Sequence, residues 1–103
     1  MQLTNSYGET YKVDVLHEHY TTNGNLALVV MYKSGDLAGE DDVITVNFEE
    51  KLPDDQAYLD TNNCPWALSF IRENRLGKFA GYVGLSGYCE YPLYEFNLDA
   101  LSE

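Results

Sequence analysis

The chain has 103 residues and a formal net charge of −11, which arises from 17 Asp and Glu against six Lys and Arg. It also contains nine Tyr, four Phe and one Trp, enough apolar surface to distinguish it from a disordered acidic tail. The length indicates a single domain over residues 1–103. The charge disfavours direct binding to nucleic acid or to an anionic membrane, because the bases are scattered from Lys12 to Lys78 without forming a stripe.

The beginning of the chain carries neither the basic nor the apolar segment of a secretory signal, and no apolar run approaches the roughly 18 residues that cross a bilayer. We therefore expect a soluble, cytoplasmic protein. In that compartment Cys64 and Cys89 are expected to be reduced and partly buried, the alternative being a structural disulfide between them.

Apolar patterns predict strands in the first half of the chain. In residues 9–20 apolar and polar side chains alternate, which is typical of a strand with one buried face. Asn23 and Gly24 readily supply positive φ values and indicate a hairpin turn. Residues 26–32 are apolar throughout and predict a strand covered on both faces, and a third strand is predicted at residues 43–48 after a polar loop.

A helix is predicted next, over residues 64–76 and lying across the sheet. Asn63 is the expected N-cap, and Pro65 falls in the first turn, where its missing N–H has little effect. Gly77 is the expected residue just beyond the helix C-terminus. The apolar face has helical spacing and consists of Trp66, Ala67, Phe70 and Ile71.

Extended segments surround this helix. A short one is predicted at residues 57–60, and two strands are predicted at residues 79–83 and 91–98, joined by a glycine-containing loop at residues 84–87. The order β-β-β-(β)-α-β-β predicts an α+β fold, with one antiparallel sheet of about five strands and a single helix packed on it.

Eight of the acidic residues fall within a segment of twenty residues whose only base is Lys51, and such a block produces a strong local negative field. We interpret it as a partner-binding surface whose carboxylates replace nucleic-acid phosphates in the basic groove of another protein. A calcium site is the alternative, although the EF-hand alternation is absent. The residues are Asp36, Glu40, Asp41, Asp42, Glu49, Glu50, Asp54 and Asp55.

Three tyrosines form a second candidate surface. Tyr82, Tyr88 and Tyr91 cluster around the predicted loop at residues 84–87. Tyrosine beside acidic residues is common in recognition surfaces, because the ring contributes contact area and the hydroxyl stays polar. Ordinary, partly exposed tyrosines would give the same pattern.

The His and Cys residues allow two enzymatic alternatives. His17 and His19 would lie on one face of a strand and, with Cys64 and Cys89, would complete the ligand count of a zinc site, but no CxxC spacing is present. Cys64 at a predicted helix N-terminus is also a candidate nucleophile, without an identifiable orienting group. We expect a protein that is not an enzyme and has no cofactor or metal.

Three segments carry a resemblance to a known family: Asp60-Thr-Asn-Asn-Cys-Pro-Trp-Ala, Phe70-Ile-Arg-Glu-Asn-Arg-Leu-Gly and Ser86-Gly-Tyr-Cys-Glu-Tyr-Pro-Leu-Tyr-Glu-Phe. Over residues 52–98 the chain resembles small uncharacterised proteins of conjugative and other mobile elements in Gram-positive bacteria. The resemblance implies a genomic setting and no catalytic residues.

The resemblance and the charge together predict an acidic nucleic-acid mimic that is encoded by a mobile element. Its expected partner is a host defence protein with a basic groove, a restriction enzyme or a Cas nuclease, and its role is of the anti-restriction or anti-CRISPR type. The alternative is a non-catalytic accessory module of the mobile element that binds through Tyr82, Tyr88, Tyr91 and the loop at residues 84–87.

Overall fold

A computed structural model describes residues 1–101. Within them the chain forms eight β-strands and one α-helix, together with 3₁₀ turns at Gly35–Leu37 and Leu98–Ala100. In chain order the elements are β1 (Gln2–Thr4), β2 (Thr10–His19), β3 (Leu26–Tyr32), β4 (Asp41–Val43), β5 (Thr45–Val46), β6 (Gln56–Leu59), α1 (Ala67–Glu73), β7 (Gly77–Ser86) and β8 (Cys89–Phe96).

The strands form two antiparallel sheets of four strands each, in the orders β1-β2-β3-β4 and β5-β6-β8-β7. The predicted α+β class with a single helix is confirmed. The prediction of one sheet with about five strands is wrong, because the strands form two sheets. β1 was not predicted, since it is too short to give an apolar alternation, and the single strand predicted at residues 43–48 is divided in two.

Ile44 is the point at which the chain passes from one sheet to the other. Its backbone N–H donates to the carbonyl of Leu28 in β3 at 3.0 Å, while its own carbonyl accepts from the N–H of Asp60 at 2.8 Å. The segment from β4 to β5 is therefore one bent strand whose first part pairs with β3 and whose second part pairs with β6.

The main hydrophobic core is built from side chains of both sheets and of α1, and a smaller cluster is formed by Leu52, Tyr58 and Leu93. Each large side chain fully removed from water contributes roughly 1.5–3 kcal/mol before the entropy of ordering is subtracted. The largest members of the main core with almost no exposed surface are Leu3, Val13, Val15, Leu26, Leu28, Val30, Ile44, Leu59, Ile71 and Leu76.

The helix is shorter than predicted at its N-terminus because Asp60 organises a separate turn. The Asp60 carboxylate accepts from the backbone N–H and the side-chain Nδ2 of Asn63, at 3.1 and 2.9 Å, and the Cys64 N–H donates to the Asp60 carbonyl at 2.8 Å. Asn63 is thus committed to this turn and is not the N-cap, and Pro65 precedes α1.

At the C-terminus, α1 ends in a Schellman motif. The Leu76 N–H donates to the Ile71 carbonyl at 3.0 Å and the Arg75 N–H donates to the Arg72 carbonyl at 3.2 Å. The residue in the left-handed conformation is Arg75, with a φ of 54°, whereas the predicted Gly77 is the first residue of β7.

Replacing Arg75 with glycine is therefore expected to raise the free energy of unfolding by about 1 kcal/mol, because glycine adopts positive φ without the clash of a Cβ atom. Urea unfolding followed by circular dichroism measures the change. The matched variant is Arg72→Gly, which lies inside the helix and should destabilise by about the same amount. A loss of stability in Arg75→Gly would contradict the expectation.

Strands β7 and β8 form a long hairpin at the edge of the second sheet. Ser86 pairs with Cys89, so the connection is the two-residue turn Gly87-Tyr88, in which Gly87 has a φ of 61°. The prediction of a loop at residues 84–87 is wrong, because the strand continues to Ser86. A β-bulge shifts the register between Phe79 and Val83, where Gly81 has a φ of 88°.

Candidate partner-binding surfaces

The eight predicted acidic residues lie in two groups. The first acidic group is Asp36, Glu40, Asp41 and Asp42, which extend from the 3₁₀ turn before β4 into β4 itself. The second acidic group is Glu49, Glu50, Asp54 and Asp55, on the connection between β5 and β6. All are exposed except Asp55, which is half-buried.

The two groups lie at opposite ends of β3. Asp41 is paired with Met31 near one end, and the Glu50 backbone carbonyl is bonded to Asn25 just before the other. From Asn25 to Met31 the chain advances six residues at about 3.3 Å each, so the two groups are separated by roughly 20 Å. The structure therefore does not bring the carboxylates into one continuous patch.

Two buried tyrosines position two carboxylates of the first acidic group. The rings of Tyr11 and Tyr32 pack edge to face with their centroids 5.4 Å apart. The Tyr32 hydroxyl donates to Asp42 at 2.8 Å and the Tyr11 hydroxyl donates to Asp36 at 3.1 Å. Burial, and then the hydrogen bond to a carboxylate, raises the pKa of both hydroxyls, so they remain donors. The exposed carboxylates are thus attached to fixed rings.

Asn25 fixes the backbone of the second acidic group, and only 2% of its surface is exposed. Its Nδ2 donates to the Glu50 carbonyl at 2.8 Å and to Asn47 Oδ1 at 3.1 Å, while its Oδ1 accepts from the Leu52 N–H at 2.9 Å. The neighbouring Asn23 donates to the Phe48 carbonyl at 2.9 Å. The connection after β5 is therefore bonded to the turn between β2 and β3.

Side chains of the second acidic group are also held in place. The Tyr58 hydroxyl donates to the Glu50 carboxylate at 2.7 Å, and burial together with this bond raises the pKa of Tyr58. Lys51 Nζ lies 3.7 Å from Asp54 and donates to the Gly24 carbonyl at 3.2 Å. Both ions of the Lys51–Asp54 pair are largely exposed, so the pair contributes little to stability.

Sequence reasoning missed these positioning residues. A core-facing tyrosine needs a partner for its hydroxyl, so Tyr11 in a predicted strand implied an acceptor at some other place in the chain. Asn25 at the start of an apolar strand implied buried amide hydrogen bonds in the same way. Neither signal identifies the partner.

The three candidate tyrosines occupy different environments. Tyr88 is fully exposed at the hairpin turn, and Tyr82 is exposed beside the bulge. Tyr91 is half-buried, with its ring 5.9 Å from that of Phe48, and a hydrogen bond with Cys89 is the largest cause of its raised pKa. The hairpin exposes more large apolar side chains than predicted, namely Phe79, Tyr82, Val83, Leu85 and Tyr88.

Cys64 and Cys89 are free thiols, the first buried and the second half-buried. Burial, with smaller effects from Asp42 and Asp60, raises the pKa of Cys64 to about 11. The thiol is therefore protonated at neutral pH and lacks the thiolate of an activated nucleophile. Within residues 1–101, His, Cys, Asp and Glu side chains do not assemble in threes at metal-binding distance.

These raised pKa values predict that the protein loses stability at alkaline pH. A thiol or phenol whose pKa is higher in the folded state stabilises that state below its unfolded pKa, and the contribution is lost as the pH rises further. The loss should begin near pH 9 for Cys64 and near pH 10 for Tyr11, Tyr32 and Tyr58. Urea unfolding between pH 7 and pH 11 measures it.

The alkaline loss should become smaller in Tyr32→Phe, which removes one buried hydroxyl. The control is Tyr88→Phe, because that side chain is fully exposed and removing its hydroxyl should leave the alkaline loss of stability unchanged. A stability that stays constant up to pH 11 would contradict the assignment of buried, hydrogen-bonded tyrosines.

The fold and its surfaces define a small α+β protein with two antiparallel sheets and carboxylates fixed at both ends of a bent strand. The family described as Domain of unknown function (DUF4313) matches residues 13–103, and the chain belongs to this family. The match includes both acidic groups and so extends well beyond residues 52–98. Searches of the curated proteins and of the solved structures gave no significant match. None of the helical segments within residues 1–101 has the length and apolar character to span a membrane.

Proposed function

We propose that the protein is a non-catalytic inhibitor that binds the basic groove of a nucleic-acid-binding protein and competes there with nucleic acid. The observation that supports this proposal is that several carboxylates are exposed to solvent and at the same time held in position by hydrogen bonds. Tyr11, Tyr32 and Tyr58 hold Asp36, Asp42 and Glu50 while leaving them exposed to solvent. Carboxylates that are already ordered lose less conformational freedom on binding.

The spacing of the two acidic groups also supports mimicry. Phosphates along one strand of DNA repeat every 3.4 Å, so roughly 20 Å corresponds to about six base steps. A partner that contacts phosphates over half a helical turn would meet both groups at once. The net charge of −11 would additionally accelerate its association with a basic surface.

The concrete target in this proposal is a host defence nuclease, either a restriction enzyme or a Cas nuclease. Such enzymes hold nucleic acid in positively charged channels. The chain itself would be encoded by a mobile element that benefits from blocking the nuclease. Direct binding of this protein to nucleic acid has no part in the mechanism.

The test has two stages. Immobilised protein captures partners from a Gram-positive bacterial lysate at low salt, and duplex DNA is then used as the eluant. The proposal expects a nucleic-acid-binding protein that is released by DNA and by increasing salt, because exposed charge pairs are screened beyond roughly 8 Å at physiological ionic strength. A partner that stays bound in DNA and in high salt would contradict the mimic.

Charge variants then locate the surface on the captured partner. One variant neutralises the four acids of the first group by Asp→Asn and Glu→Gln changes, and a second variant does the same to the second group. The control neutralises four exposed acids outside both groups: Glu18, Glu73, Glu90 and Asp99. Each group variant should bind at least tenfold more weakly, and the control should change affinity less than threefold. Equal losses in all three would show that only the total charge matters.

A non-catalytic interaction module is the second candidate, and the exposed hairpin surface favours it. Tyr88 at the turn and Leu85 on the edge strand expose most of their surface. If this surface binds the partner, Tyr88→Ser combined with Leu85→Ser should abolish capture, whereas both acidic-group variants should retain it.

A further inference from the structure

A groove lies between α1 and the hairpin of β7 and β8. It has a volume of about 620 Å³ and is open to solvent. That volume falls within the range of roughly 300–1,000 Å³ that is typical of sites for small ligands. Its lining includes Leu68, Arg72 and Arg75 from the helix side, and Phe79, Tyr94 and Phe96 from the hairpin.

The groove concentrates positive charge in an acidic protein. Arg72, Arg75 and Lys78 line it and are half of the six bases in the chain. Lys78 is paired at 3.5 Å with Glu95, which also lines the groove and balances the lysine's charge. Among residues 1–101, by contrast, no carboxylate lies within 4.0 Å of either guanidinium group. Both arginines are exposed and have no acidic partner among the residues that the structure describes, so they are available to an anion from outside.

The backbone of Arg75 adds an independent observation. Its φ of 54° places a long, Cβ-bearing side chain where glycine would be less strained by about 1 kcal/mol. Strained backbone of this kind is concentrated at functional sites, so an arginine in this conformation indicates a role for its side chain. Arg72 alone would suffice to interact with the negative end of the helix.

The floor of the groove is aromatic and incompletely covered. Phe79 exposes 51% of its surface, and its ring centroid lies 6.1 Å from that of Tyr94. Tyr94 in turn lies 6.2 Å from Phe96, so three rings follow one another along the hairpin. An apolar group placed on this floor would remove exposed aromatic surface from water.

We propose that this groove binds a small amphiphilic anion, namely a carboxylate or phosphate attached to an aromatic or aliphatic group. Arg72 and Arg75 bind the anionic end, since guanidinium groups match the geometry of carboxylate and phosphate oxygens. Phe79 and Tyr94 contact the apolar end. The site has the opposite charge to the acidic groups and is independent of the proposed function.

Nuclear magnetic resonance tests the site on the full chain labelled with ¹⁵N. The probes are phenyl phosphate and 3-phenylpropionate, with inorganic phosphate and phenethylamine as comparisons. The proposal expects amide shifts confined to the neighbourhood of residues 68, 72, 75–79 and 94–97. It expects the two phenyl anions to bind at least tenfold more tightly than inorganic phosphate or the phenyl cation. Equal binding of phenethylamine, or shifts elsewhere in the protein, would overturn it.

The matched variants remove two positive charges each. Arg72→Gln with Arg75→Gly empties the groove of guanidinium groups and relieves the strained residue, so the variant is expected to fold. It should weaken binding of the phenyl anions at least tenfold. Lys12→Gln with Lys33→Gln removes the same charge outside the groove lining and should change affinity less than twofold. Equal losses of affinity in both variants would overturn the site. Size-exclusion chromatography gives a second check: if the protein is a dimer and the arginine variant is a monomer, the occupant of the groove is a second copy of the chain and the proposal is overturned.

Discussion

Replacing Asn25 with alanine is expected to lower the free energy of unfolding by about 3 kcal/mol and to release the segment that carries the second acidic group. The substitution removes two donated bonds and one accepted bond from a side chain that is almost completely buried. The Leu52 N–H then loses its acceptor in a buried position, and each such orphaned group costs about 1–3 kcal/mol. Urea unfolding measures the loss of stability.

Hydrogen exchange provides the second measurement for this residue. The amide of Leu52 should exchange far faster in Asn25→Ala, because its bond to Asn25 Oδ1 is absent. Asn62→Ala is the control, since that side chain is exposed and its removal should change stability by less than about 0.5 kcal/mol. A loss below 1 kcal/mol for Asn25→Ala would show that the connection is held by other contacts.

The second large effect is expected at Ile44. Ile44→Ala should destabilise the protein by about 3 kcal/mol, within the usual range of 2–5 kcal/mol for removing a large aliphatic side chain from a core. Ile44 has 0% exposure and belongs to the main core at the point where the two sheets are joined. The cavity would therefore open between the sheets, where neither can move freely to fill it.

Val43→Ala is the control for Ile44, because the two residues are neighbours on opposite faces of the same bent strand. Val43 exposes 49% of its surface, so its truncation should cost less than about 1 kcal/mol. Thermal unfolding of the two variants side by side tests the difference. Similar losses would indicate that the strand is stabilised by its backbone pairing and not by the burial of Ile44.

The local patterns of the sequence were sufficient to predict the longer strands. Strands β2 and β3 were predicted within a residue or two, because β2 has a long apolar alternation and β3 is an unbroken apolar run. The division at Ile44 was not predictable, since Ile44, Val46 and Phe48 continue the alternation of a single strand. Only the pairing with two different neighbours, Leu28 and Asp60, divides it.

The charged surfaces were predictable as exposed residues but not in their arrangement. Asp42 and Glu49 are close in sequence, yet the intervening bent strand places them toward opposite ends of β3. The bases looked scattered along the chain, whereas Arg72, Arg75 and Lys78 meet around one groove. The spacing of three residues between these bases was the only sign in the sequence that they lie close together. Their convergence also depends on the Schellman turn at Arg75, which directs the chain back along α1.

The bulge in β7 has a consequence for self-association. An edge strand of ten residues with Phe79, Val83 and Leu85 exposed would be a template for adding strands from other molecules. The register shift between Phe79 and Val83 limits any regular ladder to three residues on one side and four on the other. Such short stretches hold an incoming strand weakly, so the hairpin can keep an apolar surface for contact without initiating open-ended growth of fibres.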